Sequence, residues 1–217
     1  VGYSGYIAIE GPIGVGKTSL ARMVAEHLDA SLVLEMAEEN PFLPQFYRNR
    51  EPAAFQTQIF FLMSRFMQQR QIVNHDLFSQ ALISDYLFDK DRIFAGINLT
   101  DQELALYDRV SSELQTAVVK PDLVIYMTAA VDVLMERIRR RGRDFEKDLD
   151  LNYLDMVCEA YSRFFFHYDS TPLLIVGTDH TDLTTDDDNF SYLIDKILSR
   201  PQGTEYISFD SLELGKF

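Results

Sequence analysis

The sequence predicts an α/β fold, a five-stranded parallel sheet flanked by helices, with a short arginine-rich lid. Three observations carry this expectation. Apolar runs of four or five residues alternate with longer amphipathic stretches, the pattern of βαβ units. A glycine-rich turn, Gly11 to Gly16, separates the first apolar run from the first amphipathic stretch. The length of 217 residues suits a single domain, since domains usually hold about 100–200 residues. That domain is expected over 1–200, with the lid at 137–147 and a C-terminal tail at 201–217.

The elements follow in order. Tyr6 to Glu10 reads as a buried strand. Residues 17–28 place Leu20, Met23, Val24 and Leu28 at helical spacing. Ser31 to Leu34 is a second strand, ending at Glu35. Residues 53–78 lack Gly and Pro and carry Phe55, Ile59, Leu62, Phe66 and Ile72, so they predict a long helix. Ala81 to Ser84 is a third strand, ending at Asp85. Thr100-Asp101-Gln102-Glu103 is a capping-box signal opening a helix with Leu104, Tyr107, Val110, Leu114 and Val118 on one face. Leu123 to Met127 is the fourth strand. Helices are expected at Val131 to Arg141, at 151–166 and at 190–199, with a fifth strand at Leu173 to Val176. The acidic run Asp182 to Asp188 reads as a solvated loop. It lacks the Gly and terminal Glu of an EF-hand loop.

Composition removes several classes. No apolar stretch approaches the length of a membrane-spanning helix. A single cysteine, Cys158, forbids an internal disulfide and argues against a cysteine zinc site. The start, Val1-Gly2-Tyr3-Ser4-Gly5, has neither a basic nor an apolar leader region, so no signal peptide is expected. These features fit the reducing cytoplasm. Twenty Lys and Arg against 34 Asp and Glu give a net charge of −14, which opposes binding to a nucleic-acid polymer or an anionic membrane. Any anion site must therefore concentrate its few cations.

One motif does so. Gly11-Pro12-Ile13-Gly14-Val15-Gly16-Lys17-Thr18 fits G-x-x-x-x-G-K-[ST] without gaps. The glycines let backbone N–H groups converge on one phosphate, and the following helix adds its positive end. Lys17 supplies a point charge to the β- and γ-phosphates, and Thr18 a hydroxyl for Mg²⁺. With Ser19, these residues form the expected ATP-binding loop. A second concentration of charge, Arg137 to Arg143, holds five of the 20 basic residues. It is either a solvated helix end or a lid that closes arginines on the triphosphate. The four histidines have no metal-ligand spacing, and Cys158 sits on an apolar helix as an inert thiol.

Beyond these motifs the chain resembles the deoxynucleoside kinase family, from about Tyr6 to Val176. The matching residues are Glu35 at a strand end, Asn40-Pro41-Phe42-Leu43, Tyr47 eleven residues before Gln58, and Ser64-Arg65. Ile83-Ser84-Asp85, Asp91-Arg92-Ile93-Phe94-Ala95 and the run Arg141-Gly142-Arg143 to Glu146 complete them. The resemblance implies a phosphate-loop kinase that transfers phosphate from ATP–Mg²⁺ to a deoxynucleoside 5′-hydroxyl. It implies Asp85 as catalytic carboxylate, with Lys17, Arg141 and Arg143 as catalytic cations. Arg139, Arg141 and Arg143 would bind ATP, and Thr18 and Asp85 would hold the metal. Glu35 would lie near the 5′-hydroxyl, Tyr47 and Glu146 at the 3′-hydroxyl, and Gln58, Arg65 and Asp91 at the base. The Arg65–Asp91 pair favours deoxyadenosine, deoxyguanosine or deoxycytidine. Phe60 and Phe61 either stack on the base or fill core. Glu10, also at a strand end, is read as a helix- or loop-capping acid. A homodimer through the helices at 104–118 and 55–66 is also implied.

One departure stands out. The family usually places Arg and Ser after its catalytic carboxylate, whereas Tyr86 and Leu87 follow Asp85 here. Lys90 and Arg92 are the nearby cations that could compensate. The alternatives are a thymidylate-type nucleoside monophosphate kinase, which usually needs that Arg, and a nucleotide-binding module without turnover.

Overall fold

The computed structural model describes residues 3–73, 81–116 and 118–209. Its centre is one parallel sheet. The strands are β1 (Tyr6–Glu10), β2 (Ser31–Val33), β3 (Leu82–Ser84), β4 (Leu123–Thr128), β5 (Leu173–Gly177) and β6 (Thr204–Ile207), in the order β2-β3-β1-β4-β5-β6. Of these, β1, β3 and β4 are the most buried. Ile7, Ala8 and Ile9 of β1 are completely buried, as strands covered by helices on both faces require. The register Ala8↔Ser84 and Glu10↔Tyr126 brings the ends of β1, β3 and β4 to one edge. Ligands bind at that carboxyl edge in open α/β sheets.

The sheet has six strands, which corrects the expected five. The missed strand, Thr204–Ile207, falls in the segment assigned to the tail. It pairs in parallel with β5, and Ile207 is buried against Val176. Its sequence hides it: three of its four residues, Thr204, Glu205 and Tyr206, are at least partly exposed because it is an edge strand with one solvated side. Residues 210–217 of the expected tail lie outside the described residues.

The helices are α1 (Lys17–Leu28), α2 (Leu43–Arg48), α3 (Ala54–Val73), α4 (Lys90–Asn98), α5 (Asp101–Gln115), α6 (Val131–Arg141), α7 (Leu151–Phe166) and α8 (Asp187–Leu198). The capping box at Thr100 and Glu103 opens α5 as expected, with both reciprocal hydrogen bonds present. Residues 74–78 of the long helix, with His75, lie outside the described residues. Of the acidic run, Asp182 to Asp186 is loop, while Asp187 and Asp188 enter the first turn of α8, where negative charge suits the helix dipole. Two helices, α2 and α4, were not anticipated. α4 begins with Lys90-Asp91-Arg92 and contains Gly96, a poor helix signal on sequence alone. Among the described residues no helix is long and apolar enough to cross a membrane.

Candidate active site

The phosphate loop joins β1 to α1. Gly11 has φ +154° and Gly14 φ +87°. A Cβ on Gly11 would lie 2.4 Å from the Met127 carbonyl oxygen, so only glycine allows the loop to pass β4 this closely. Lys17 Nζ donates to the carbonyls of Gly11 (2.8 Å) and Pro12 (3.1 Å), which folds it over the loop. Burial, and then the neighbouring Lys90 ammonium, bring its amine down to about 8.

Glu10 is fully buried just before this loop. Its Oε1 accepts from the Gly11 N–H (2.8 Å) and the Tyr161 hydroxyl (3.0 Å), and its Oε2 from the Leu87 N–H (2.8 Å). It caps the loop, one of the two roles expected from the sequence.

Two cavities meet at the loop. The first is a cleft of about 840 Å³ when its open mouth and the solvent in it are counted. It brings together Lys17, Thr18, Glu35, Tyr47, Gln58, Arg65, Asp85, Asp91, Arg141, Arg143 and Glu146, with Ile13 and Gly14 at one end. The second is lined by Gly14, Val15, Gly16, Lys17, Thr18 and Ser19, and by Arg137, Arg140, Arg141, Arg143 and the segment 181–184. Gly14, Lys17, Thr18, Arg141 and Arg143 therefore line both. Residues 120 positions apart converge because β1, β3 and β4 end side by side.

Hydrogen bonds order the acids of the first cavity. Asp85 Oδ2 accepts from the Thr18 hydroxyl (2.5 Å), and its Oδ1 from the Glu35 N–H (2.7 Å). The Glu35 carboxylate takes Arg65 on one oxygen and Lys90 Nζ on the other, the latter at 2.7 Å. Burial pushes the Glu35 carboxyl up, but Arg65 and then Lys90 outweigh it and hold it well below the usual carboxylate range. Arg65 also pairs with Asp91, and its guanidinium lies 5.0 Å from the Phe61 ring centroid. At the far end, the Tyr47 ring stacks on Phe145 at 6.0 Å, and Glu146 accepts two hydrogen bonds from Arg141.

The arginine segment divides by face. Arg141 reaches Glu146, and Arg143 reaches Glu38. Arg139, expected at ATP, is exposed and is not among the described residues lining either cavity. Successive helical residues turn about 100°, so Arg139 points away from the side of α6 that carries Arg137 and Arg141. Arg137 was unassigned, and it donates to Thr178 Oγ1 (3.0 Å) and to the Thr178 carbonyl (2.6 Å), fixing α6 to the end of β5. The four-residue interval between Arg137 and Arg141 was the available signal.

Four further features bear on the site. Phe61 lines the first cavity, whereas Phe60 does not. Tyr86 is fully buried in the core. Of the two nearby cations, Lys90 lines the cavity, while Arg92 pairs with Asp108 at 2.6 Å on the half-exposed outer side. Thr57 also lines the cavity, fully buried, with no hydrogen-bond partner for its hydroxyl.

Comparison with known proteins places the chain in a family. The family described as deoxynucleoside kinase matches residues 7–200. A deoxyguanosine kinase of Bacillus subtilis (strain 168) is 38% identical over 157 residues, 72% of this chain and 76% of its own. A deoxyadenosine kinase of Dictyostelium discoideum is 35% identical over 162 residues, 73% of this chain and 66% of its own. The fold is similar to that of deoxyadenosine kinase from M. mycoides with bound dATP. That structure has a TM-score of 0.76 and 25% identity, over 90% of this chain and 99% of the other.

Proposed function

Because the chain belongs to the deoxynucleoside kinase family, and is thus a phosphotransferase, we propose that its two cavities hold donor and acceptor on either side of Lys17 and Thr18. ATP occupies the second cavity, with its phosphates on the loop. The deoxynucleoside occupies the first, with its 5′-hydroxyl beside Asp85 and Glu35. The observation that carries this reading is the shared wall: among the described residues, Gly14, Lys17, Thr18, Arg141 and Arg143 line both chambers.

The residues fit the roles. Asp85 accepts the 5′-hydroxyl proton or orients that hydroxyl. Arg141 and Arg143 close with segment 137–147 and exchange their carboxylate partners for phosphate oxygens. Tyr47 and Glu146 take the 3′-hydroxyl. Gln58 reads the base edge with a donor and an acceptor, and Arg65 with Asp91 favours adenine, guanine or cytosine. Thr18 and Asp85 offer a hydroxyl and a carboxylate within one hydrogen bond, an oxygen set suited to Mg²⁺. When bound there, Mg²⁺ would neutralise charge on the β- and γ-phosphates.

A homodimer fits two features. α3 packs against α5, and Met63 and Met67 of α3 and Leu106 of α5 are exposed. The cytoplasm is the compartment proposed for the reaction.

The test is ADP release with ATP–Mg²⁺ and each of four deoxynucleosides, with dTMP as a control. Turnover is expected with at least one purine deoxynucleoside or deoxycytidine, and chelation should abolish it. Asp85→Asn should lower kcat at least ~10²-fold. Turnover with dTMP alone, or none with any acceptor, would reject the reading. An unaffected Asp85→Asn variant would move the base to Glu35.

A further inference from the structure

We infer that Lys90 is a further cation of the transfer site, beside Lys17, Arg141 and Arg143, one that exchanges Glu35 for the phosphoryl group in flight. The inference rests on the proposed reaction and adds a residue to it. Four observations support it.

First, Lys90 is only 6% exposed, yet it lies on the wall of the acceptor cavity. A buried ammonium is costly unless an opposite charge or ligand uses it. Second, Glu35 does not need it. The other Glu35 oxygen already holds Arg65, which is fixed in turn by Asp91 and by the Phe61 ring. Arg65 is the anchored countercharge, and Lys90, on a flexible four-carbon stem, is the movable one.

Third, Lys90 and Lys17 are close enough for the Lys90 charge to lower the Lys17 amine. Both line the first cavity, Lys90 from the start of α4 and Lys17 from the end of the phosphate loop. Two ammonium groups converging on one space suit an anion placed between them. Fourth, the residue after Asp85 supplies no charge, because Tyr86 is buried in the core. Arg92, the other nearby cation, faces outward onto Asp108. Of these two candidates, only Lys90 lines the cavity.

The exchange balances without consuming Lys90. The bond between the γ-phosphorus and its bridging oxygen breaks, and its electron pair leaves with ADP. The bond from phosphorus to O5′ forms, and the 5′-hydroxyl proton passes to a cavity carboxylate. The Lys90 ammonium moves from Glu35 Oε2 to the oxygens of the migrating group, which frees Oε2 for the 5′-hydroxyl. Lys90 forms no covalent bond and gives up no proton.

The test compares wild type, Lys90→Met and Lys90→Arg in steady-state kinetics with the best deoxynucleoside. Thermal melting checks that each variant is folded, which the remaining Arg65–Glu35 pair favours. Binding of ADP with aluminium fluoride, in the presence of that deoxynucleoside, reports charge at the transferring position. Lys90→Met should lower kcat ~10²-fold, the scale of losing one charge-stabilising group. Its KM for ATP should stay within about threefold, since the donor cavity is intact. Aluminium fluoride affinity should fall about tenfold or more while ADP alone binds unchanged. Lys90→Arg should recover most of the loss by restoring the charge. A folded Lys90→Met variant with near-normal kcat would overturn the inference alone. So would equal losses in the two variants, or an unchanged fluoride complex. A wild type that turns over no deoxynucleoside would instead reject the reaction on which the inference rests.

Discussion

Removing Arg65 should destabilise the fold in a pH-dependent way. Arg65 is 3% exposed and Asp91 is 2% exposed. Arg65→Met keeps the apolar stem and deletes the charge. Glu35 retains Lys90 at 2.7 Å, whereas Asp91 loses its guanidinium partner. Stranding one buried carboxylate in this way costs ~3–5 kcal/mol at neutral pH. Burial then pushes the Asp91 carboxyl above its unfolded value of about 3.9. A raised native value binds a proton before the unfolded chain does, so acidification stabilises the variant relative to its neutral state. The wild type behaves oppositely. Its Glu35 is held low, so its contribution is complete above about 4.5, the ordinary glutamate value, and is lost as pH falls below it. The stability gap should therefore narrow on going from pH 7.5 to pH 5.5. Urea unfolding at both values, followed by far-UV circular dichroism, measures it, and the double variant with Asp91→Asn should recover most of the loss. A gap below about 1 kcal/mol at pH 7.5, outside the cost of a stranded charge, would refute the reasoning. A gap that does not change with pH would do the same.

Two further outcomes follow from local geometry. Gly11→Ala would place a methyl 2.4 Å from the Met127 carbonyl at φ +154°. The strain of ~1–3 kcal/mol and the displaced loop should weaken ATP binding about tenfold or more by calorimetry, and unchanged affinity would contradict the close approach. Burial, and then Asp155, raise the Cys158 thiol to about 11 from an ordinary 9.0. Its thiolate should be about 100-fold scarcer than that of a free cysteine at pH 8. Iodoacetamide labelling followed by mass spectrometry should accelerate about tenfold per pH unit between pH 7 and 9.5, and ordinary labelling at pH 8 would disprove the shift.

Much of the site was legible in the sequence because its residues sit where strands stop. Glu10, Glu35 and Asp85 sit at the ends of short apolar runs that read as strands, and the phosphate loop announces itself by glycine and lysine spacing. The parts that were not legible depend on which way a side chain faces. Lys90 and Arg92 are equivalent cations in sequence, but two helical positions separate them by about 200°, so one enters the cavity and the other meets Asp108. The arginines of α6 divide for the same reason: Arg137 meets Thr178 while Arg139 is exposed. β6 was missed because an edge strand with a solvated side needs little apolar sequence. Its pairing partner, β5, is thirty residues away and supplies the burial that Ile207 lacks on its own.

Glu10 gives the site a common datum. One carboxylate gauges the start of the phosphate loop through Gly11, the segment beyond Asp85 through Leu87, and α7 through Tyr161. Donor-side and acceptor-side parts are thus referenced to the same two atoms. The arginines of α6 and the turn after it lie outside this triangulation. The arginines at the end of α6 and beyond it are instead tied to other carboxylates, Arg141 to Glu146 and Arg143 to Glu38, so the proposed lid and the loop have separate anchors.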